Sequence, residues 1–171
     1  MNHLHSASVL NVLAIVLVLS PAPVLAEADP AFVEVLDICM NGPTDQAGPR
    51  SCIGILTTQC TDKPEGQSTA GMVNCTYAEA NAWDVLLNRE YQTARAFALD
   101  ADANDSPVYA VRAETLRDAQ RAWIAFRDAN CAAEYAAWGA GTIRQVIGAS
   151  CHLQMTAERT LDLRAYYEVV R

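Results

Sequence analysis

Residues 106–141 read SPVYAVRAETLRDAQRAWIAFRDANCAAEYAAWGAG, and this stretch decides the fold class. Ser106 can cap a helix and Pro107 suits its first position, because a missing N–H there costs no intrahelical bond. From that start Val108, Val111, Thr115, Ala119, Ala122, Phe126, Ala129, Ala133 and Ala136 recur every three or four residues. That is the period of one helical face, and Leu116 and Trp123 widen the stripe. Gly139-Ala140-Gly141 stops it.

The flanking sequence repeats the pattern. Upstream, Ser68 or Thr69 can cap a helix running to about Asp100, with Met72, Cys75, Trp83, Leu86, Leu87, Tyr91, Ala94 and Phe97 at apolar positions. The polar break Asp100–Asp105 separates it from the central stretch. Downstream, Thr142 can cap a last helix carrying Ile143, Val146, Ile147, Leu153, Ala157 and Leu161 and ending near Tyr167. Nearer the N-terminus, Phe32–Met40 reads as one or two helical turns ended by Asn41-Gly42-Pro43. Gln46–Gln59 reads as a second, partly helical, Cys-bearing segment, and Lys63–Gly66 as a loop. Strand-like alternation is absent. The expectation is an all-α fold: an antiparallel bundle of three long helices with a small disulfide-tied N-terminal helical cap.

Val9–Leu19 is an apolar run broken by Ser20, Pro21 and Pro23, and Val24-Leu25-Ala26 has the small-x-Ala form of a cleavage site. Residues 1–26 are therefore expected to be a signal peptide, since the run falls short of the ~20 apolar residues of a membrane span. The corresponding expectations are a periplasmic or secreted protein and no stable membrane anchor after cleavage. Residues 27–62 then form a Cys-bearing extension and 63–171 the main helical domain. Six cysteines remain: Cys39, Cys52, Cys60, Cys75, Cys131 and Cys151. An even count in an exported chain, without any close Cys-x-x-Cys pair, points to disulfides rather than metal. Many connectivities are open; the most local joins Cys39 to Cys52, Cys60 to Cys75 and Cys131 to Cys151. Loops of this size are each worth about 3 kcal/mol in the chain-entropy account.

Composition removes several function classes. The chain has 171 residues, 20 acidic against 12 basic side chains, and a net charge of −8. Nucleic-acid binding needs clustered cations, so no nucleic-acid partner is expected. After cleavage His152 is the last histidine left, and Lys63 is the single lysine. No catalytic set, metal site or cofactor is therefore expected. Asp100-x-Asp102-x-Asn104 begins like a calcium loop, but Asp105 and Val111 stand where such a loop needs Gly and Glu, and a solvated turn is expected. His152 reads as a surface or partly buried residue. The informative polar groups sit inside the apolar stripes. Asp84, Asn88 and Tyr91 share one helix face, and Gln120, Arg121, Trp123, Phe126, Arg127 and Asp128 crowd the next helix. Buried polar groups need partners, so Asp84 or Asn88 is expected to meet Arg121 or Arg127 across the bundle and fix its register. A ligand site built from the same groups is the other reading.

These residues also carry a resemblance. Thr69-x-x-Met72-x-x-Cys75, Trp83-Asp84-x-Leu86-Leu87-Asn88-x-x-Tyr91, the block Leu116-Arg117-x-Ala119-Gln120-Arg121-Ala122-Trp123-Ile124-x-Phe126-Arg127-Asp128-x-x-Cys131, then Cys151 and Thr156-x-x-Arg159-x-x-x-Leu163 resemble the LprI-like domain. This is a small exported bacterial module, also catalogued as a domain of unknown function. The resemblance covers about Cys60 to Leu163. It matches the family's early cysteine to Cys60 and its later pair to Cys131 and Cys151, leaving Cys39 and Cys52 in an extension with its own bridge. The family takes its name from a mycobacterial lipoprotein associated with lysozyme inhibition; this chain lacks that prototype's lipidation cysteine. The resemblance carries no catalytic set. It implies binding or inhibition of a basic lysozyme-type peptidoglycan hydrolase, with Asp100–Asp105 or Gly139–Thr142 offered to the enzyme's cleft. The competing reading is a periplasmic interaction or stress-protective module with no inhibitory role.

Overall fold

A computed structural model describes residues 28–43 and 48–168. The expected signal peptide lies outside them. The described chain is helical: α1 (Pro30–Asn41), α2 (Ile55–Thr61), α3 (Thr69–Ala103), α4 (Arg112–Ala137) and α5 (Ile143–Glu168), with short 3-10 turns at Gly48–Cys52 and Pro64–Gly66. Among the described residues there is no strand. The three long helices form the antiparallel bundle, and α3 packs along α5 over most of its length. Helices α1 and α2 pack alongside the first half of α3 and against α5. Disulfides join Cys39 to Cys52, Cys60 to Cys75 and Cys131 to Cys151, which is the most local connectivity.

Local chemistry explains most boundaries. Asp29 caps α1 by accepting from Ala31 N at 2.9 Å, with Pro30 at the first position. Ser68 caps α3, its hydroxyl accepting from Gly71 N at 3.0 Å. The helix then runs to Ala103, a few residues past the expected end.

The start of α4 departs from expectation. Ser106 and Pro107 lie in a turn, and the helix begins at Arg112 with no capping side chain of its own at Val111. The cap comes from the end of α3. The Asp102 carboxylate accepts from Arg112 N at 3.1 Å and Ala113 N at 2.9 Å. Anchoring the first turn there competes with the Ser-Pro start, and leaves Val108 and Val111 exposed (77% and 47%). The acidic break is accordingly not an open loop: Arg112 bonds both Asp102 and Asp105, at 3.2 and 2.6 Å.

Two apolar clusters fill the interior. One is built on fully buried Trp83 and Leu86 of α3, with Leu36 and Met40 of α1, Leu56 of α2, and Leu153, Ala157 and Leu161 of α5. The expected extension thus shares its core with the long helices. Asp37 of α1 accepts from Arg89 of α3 at 2.6 Å, and Arg164 of α5 donates to Asn41 at 2.8 Å. The Arg89 hydrogen bond also holds the Asp37 carboxyl below its ordinary range. The second cluster joins Leu87, Ala94 and Ala98 to Ala113, Leu116 and Leu163, with Tyr91, Trp123, Tyr166 and Tyr167 packed against it. Tyr167 donates to Glu90, and burial followed by that bond pushes its hydroxyl up to about 12.

Helix α4 turns an unexpected face inward. Its buried positions are Ala113, Leu116, Gln120 and Cys131, with Trp123 and Arg127 half-buried between them. These recur at three- and four-residue steps. The apolar stripe read from the sequence, Thr115, Ala119, Ala122, Phe126, Ala129, Ala133 and Ala136, is exposed along its whole length. It lies about 120° round the helix axis from the packed face.

Candidate functional site: an arginine-lined groove between α3 and α4

The face of α3 bearing Asp84, Asn88, Tyr91, Gln92 and Arg95 follows the helical period, so these side chains line up along one edge. Helix α4 sets Arg117, Gln120, Arg121, Ile124 and Arg127 opposite them, with Trp123 and Leu87 at the base. The result is an open groove of about 590 Å³.

The cross-bundle bonds expected here are replaced by bonds within each helix. Asn88 donates to Asp84, to the carbonyl at 2.8 Å and the carboxylate at 3.1 Å. Arg127 bonds Asp128 at 2.9 Å. Among the described residues neither Asp84 nor Asn88 reaches Arg121 or Arg127. The physical reason is exposure: Asp84, Asn88 and Arg121 all face solvent, where nothing forces them to pair.

The tie between helices comes from Arg159 of α5 instead. Its Nε donates to the buried Gln120 amide oxygen at 2.9 Å. The Trp123 ring has the Arg127 guanidinium 5.2 Å from its centroid and that of Arg159 at 5.9 Å, both at cation–π range. Of the residues singled out in the sequence, Asp84, Asn88, Tyr91, Gln120, Arg121, Trp123 and Arg127 line the groove. Phe126 and Asp128 do not; Phe126 stands 60% exposed on the outer stripe. Gln92, Arg95 and Arg117 also line it. Their signal was available, since Arg95 continues the Asn88–Tyr91 face by one turn and Arg117 precedes Arg121 by one.

A buried carboxylate escaped the sequence reading altogether. Glu79 is fully buried in α3 and accepts from Gly54 N and Thr57 N, each at 2.7 Å, and from Trp83 Nε1 at 3.1 Å. Gly54 is the N-cap of α2 and has no side chain to offer. One carboxylate from α3 satisfies the two N-terminal donors that a capping box would otherwise serve. Among the described residues no group of His, Cys, Asp and Glu is placed to hold a metal ion. Likewise, no helix among them is long and apolar enough to cross a membrane.

A family model described as lysozyme inhibitor LprI matches residues 60–163. The chain belongs to the LprI lysozyme inhibitor family. In LprI terms the match takes in only the last two residues of α2, all of α3 and α4, and most of α5; α1 and the Cys39–Cys52 bridge precede it. An uncharacterized protein of Rhizobium meliloti (strain 1021) is 34% identical over 98 residues, which cover 55% of this chain and 70% of that protein. No solved structure matches the chain. The LprI match spans the groove, the outer face of α4 and Glu79.

His152 lies beyond the Asp84 end of the groove, in a hollow shared with Tyr77, Asn81, Asp84, Arg127 and Thr156. Burial, then the Arg127 charge, depress its pKa below 6.5, with Asp128 opposing. A histidine depressed on folding binds more protons when unfolded, so stability rises with pH across the window between its folded and unfolded values. The protein is expected to lose melting temperature as the pH falls through and below the ordinary histidine value of about 6.5. His152→Gln is expected to flatten that segment in a thermal-denaturation series; an unchanged slope contradicts the assignment.

Proposed function

We propose that this protein is an exported, non-enzymatic binder of a basic lysozyme-type peptidoglycan hydrolase, working in the periplasm or outside the cell. The family match over residues 60–163 carries the reading. Three disulfides in a chain of this length suit an oxidising compartment.

The contact surface we assign is the outer stripe of α4. Asp102 and Asp105 are already bonded to Arg112, so the Asp100–Asp105 turn is poorly suited to act as an acidic finger. The stripe, by contrast, presents Phe126 among Ala119, Ala122, Ala129 and Ala133, with Val111 at 47% and Trp138 at 52% exposure near its ends. Small side chains let a partner approach closely, and an aromatic at the centre is the usual anchor of such contacts. The net charge of −8 speeds encounter with a basic enzyme without setting its affinity.

Micromolar protein is expected to slow the clearing of a cell-wall suspension by a c-type lysozyme. Phe126→Asp should raise the concentration needed by about tenfold or more, with unchanged melting because the ring is solvated. No slowing by the unaltered protein, at low and at moderate salt, contradicts the inhibitor reading. Equal inhibition by Phe126→Asp contradicts the assigned surface.

A further inference from the structure

We infer that the α3/α4 groove binds an acidic oligosaccharide, its carboxylates met by Arg95, Arg117 and Arg121. This goes beyond the inhibitor reading, because the groove and the outer stripe lie on opposite sides of α4 by the helical period.

Charge is the first argument. The chain carries an excess of eight negative charges, yet the groove lining sets four arginines against one carboxylate, Asp84. Asp84 is not a counterion for most of them. Arg95 lies eleven residues further along α3, about 16 Å away along the axis, and Asp84 already takes the Asn88 amide. Because α3 and α4 run antiparallel through a short connection, Arg95 stands at the same end of the groove as Arg117 and Arg121. Arg117 is paired with Glu114 and Asp118. Arg95 and Arg121 make no hydrogen bond or ion pair among the described residues. Arg95 is moreover half-buried, so its charge is partly desolvated without compensation. Guanidinium groups gathered in this way favour planar oxyanions, which they bind by paired N–H donors.

The remaining lining selects the kind of oxyanion. Gln92 makes no hydrogen bond among the described residues, the Gln120 amide uses only its oxygen, and the Tyr91 ring lies beside them. Amides and a phenol interleaved with guanidinium groups suit a ligand bearing hydroxyls as well as carboxylates. The volume of about 590 Å³ is far larger than a bare phosphate needs and falls in the range of sites for small organic ligands. A nucleic acid is disfavoured by the negative charge of the rest of the molecule.

Calorimetric titration with a tetrasaccharide of alternating glucuronate and N-acetylglucosamine tests this. Saturable binding is expected, at least about tenfold tighter than that of a neutral N-acetylglucosamine tetramer, and weakening as salt is raised. The double variant Arg95→Gln, Arg121→Gln should weaken it by about tenfold or more while melting normally, since neither side chain makes a bond the fold uses. The same variant should still inhibit lysozyme, which separates this site from the α4 stripe. The inference is overturned by absent binding, by equal binding of the neutral tetramer, by an unaffected double variant, or by pyrophosphate binding more tightly than the saccharide.

Discussion

Glu79→Ala is expected to lower the stability of this protein by about 4 kcal/mol. Its carboxylate accepts from Gly54 N, Thr57 N and the Trp83 indole, and no water-exposed surface is available to replace it. Removing it strands three donors at the junction of α2 and α3, and each buried, unpaired donor costs about 1–3 kcal/mol. For a chain of this size the melting temperature should fall by roughly 10 °C. Glu79→Gln keeps one acceptor and turns an amide N–H₂ towards the donors, so it should lose about half as much. Urea denaturation of both variants checks this; a loss within about 1 kcal/mol for Glu79→Ala contradicts the assigned role.

The second large effect runs against helix propensity. Gly71 lies in the first turn of α3, where alanine would ordinarily add about 1 kcal/mol of stability. A Cβ at that position, however, would stand 2.2 Å from the Glu65 carbonyl oxygen and 2.9 Å from backbone atoms of Gly66. These are backbone atoms, fixed by the Pro64–Gly66 turn and by the Cys60–Cys75 bridge beside it. Gly71→Ala is therefore expected to cost about 2–3 kcal/mol, as overpacking does when the neighbour cannot move aside. A stabilised variant in the same denaturation series contradicts the close approach.

What could be read from the residues was whatever has a local cause. Ser68 before a long apolar period, Asn41-Gly42-Pro43 after Met40, and Gly139-Ala140-Gly141 after Trp138 each mark a boundary by their own chemistry, and the bundle followed. Two caps are made from a distance and were not legible. Asp102 starts α4 from the end of α3, and Glu79 starts α2 from the middle of α3. Carboxylates within a helix ordinarily face water, so only the Glu79–Trp83 spacing, one turn apart, hinted that a buried indole N–H needed an acceptor. The groove was half legible: its α3 face and much of its α4 face stood out as polar residues in apolar surroundings. Arg95 did not, because it lies just beyond the stretch where apolar and polar residues alternate most densely. The orientation of α4 was misread for a related reason. Its packed face contains Gln120 and Arg127, which a count of apolar residues passes over, whereas the exposed stripe is mostly alanine, which such a count takes for core. An alanine-rich face suits close packing against something, and here that something is not found among the described residues.

That stripe is the point on which the functional account stands. The most direct measurement is amide hydrogen exchange of the protein with and without a saturating basic lysozyme. The account predicts slower exchange confined to α4 and its ends, centred on Phe126, with α1 and α2 unchanged. Exchange along α4 that is unaltered by saturating enzyme, or protection that falls on α1 and α2 instead, contradicts it.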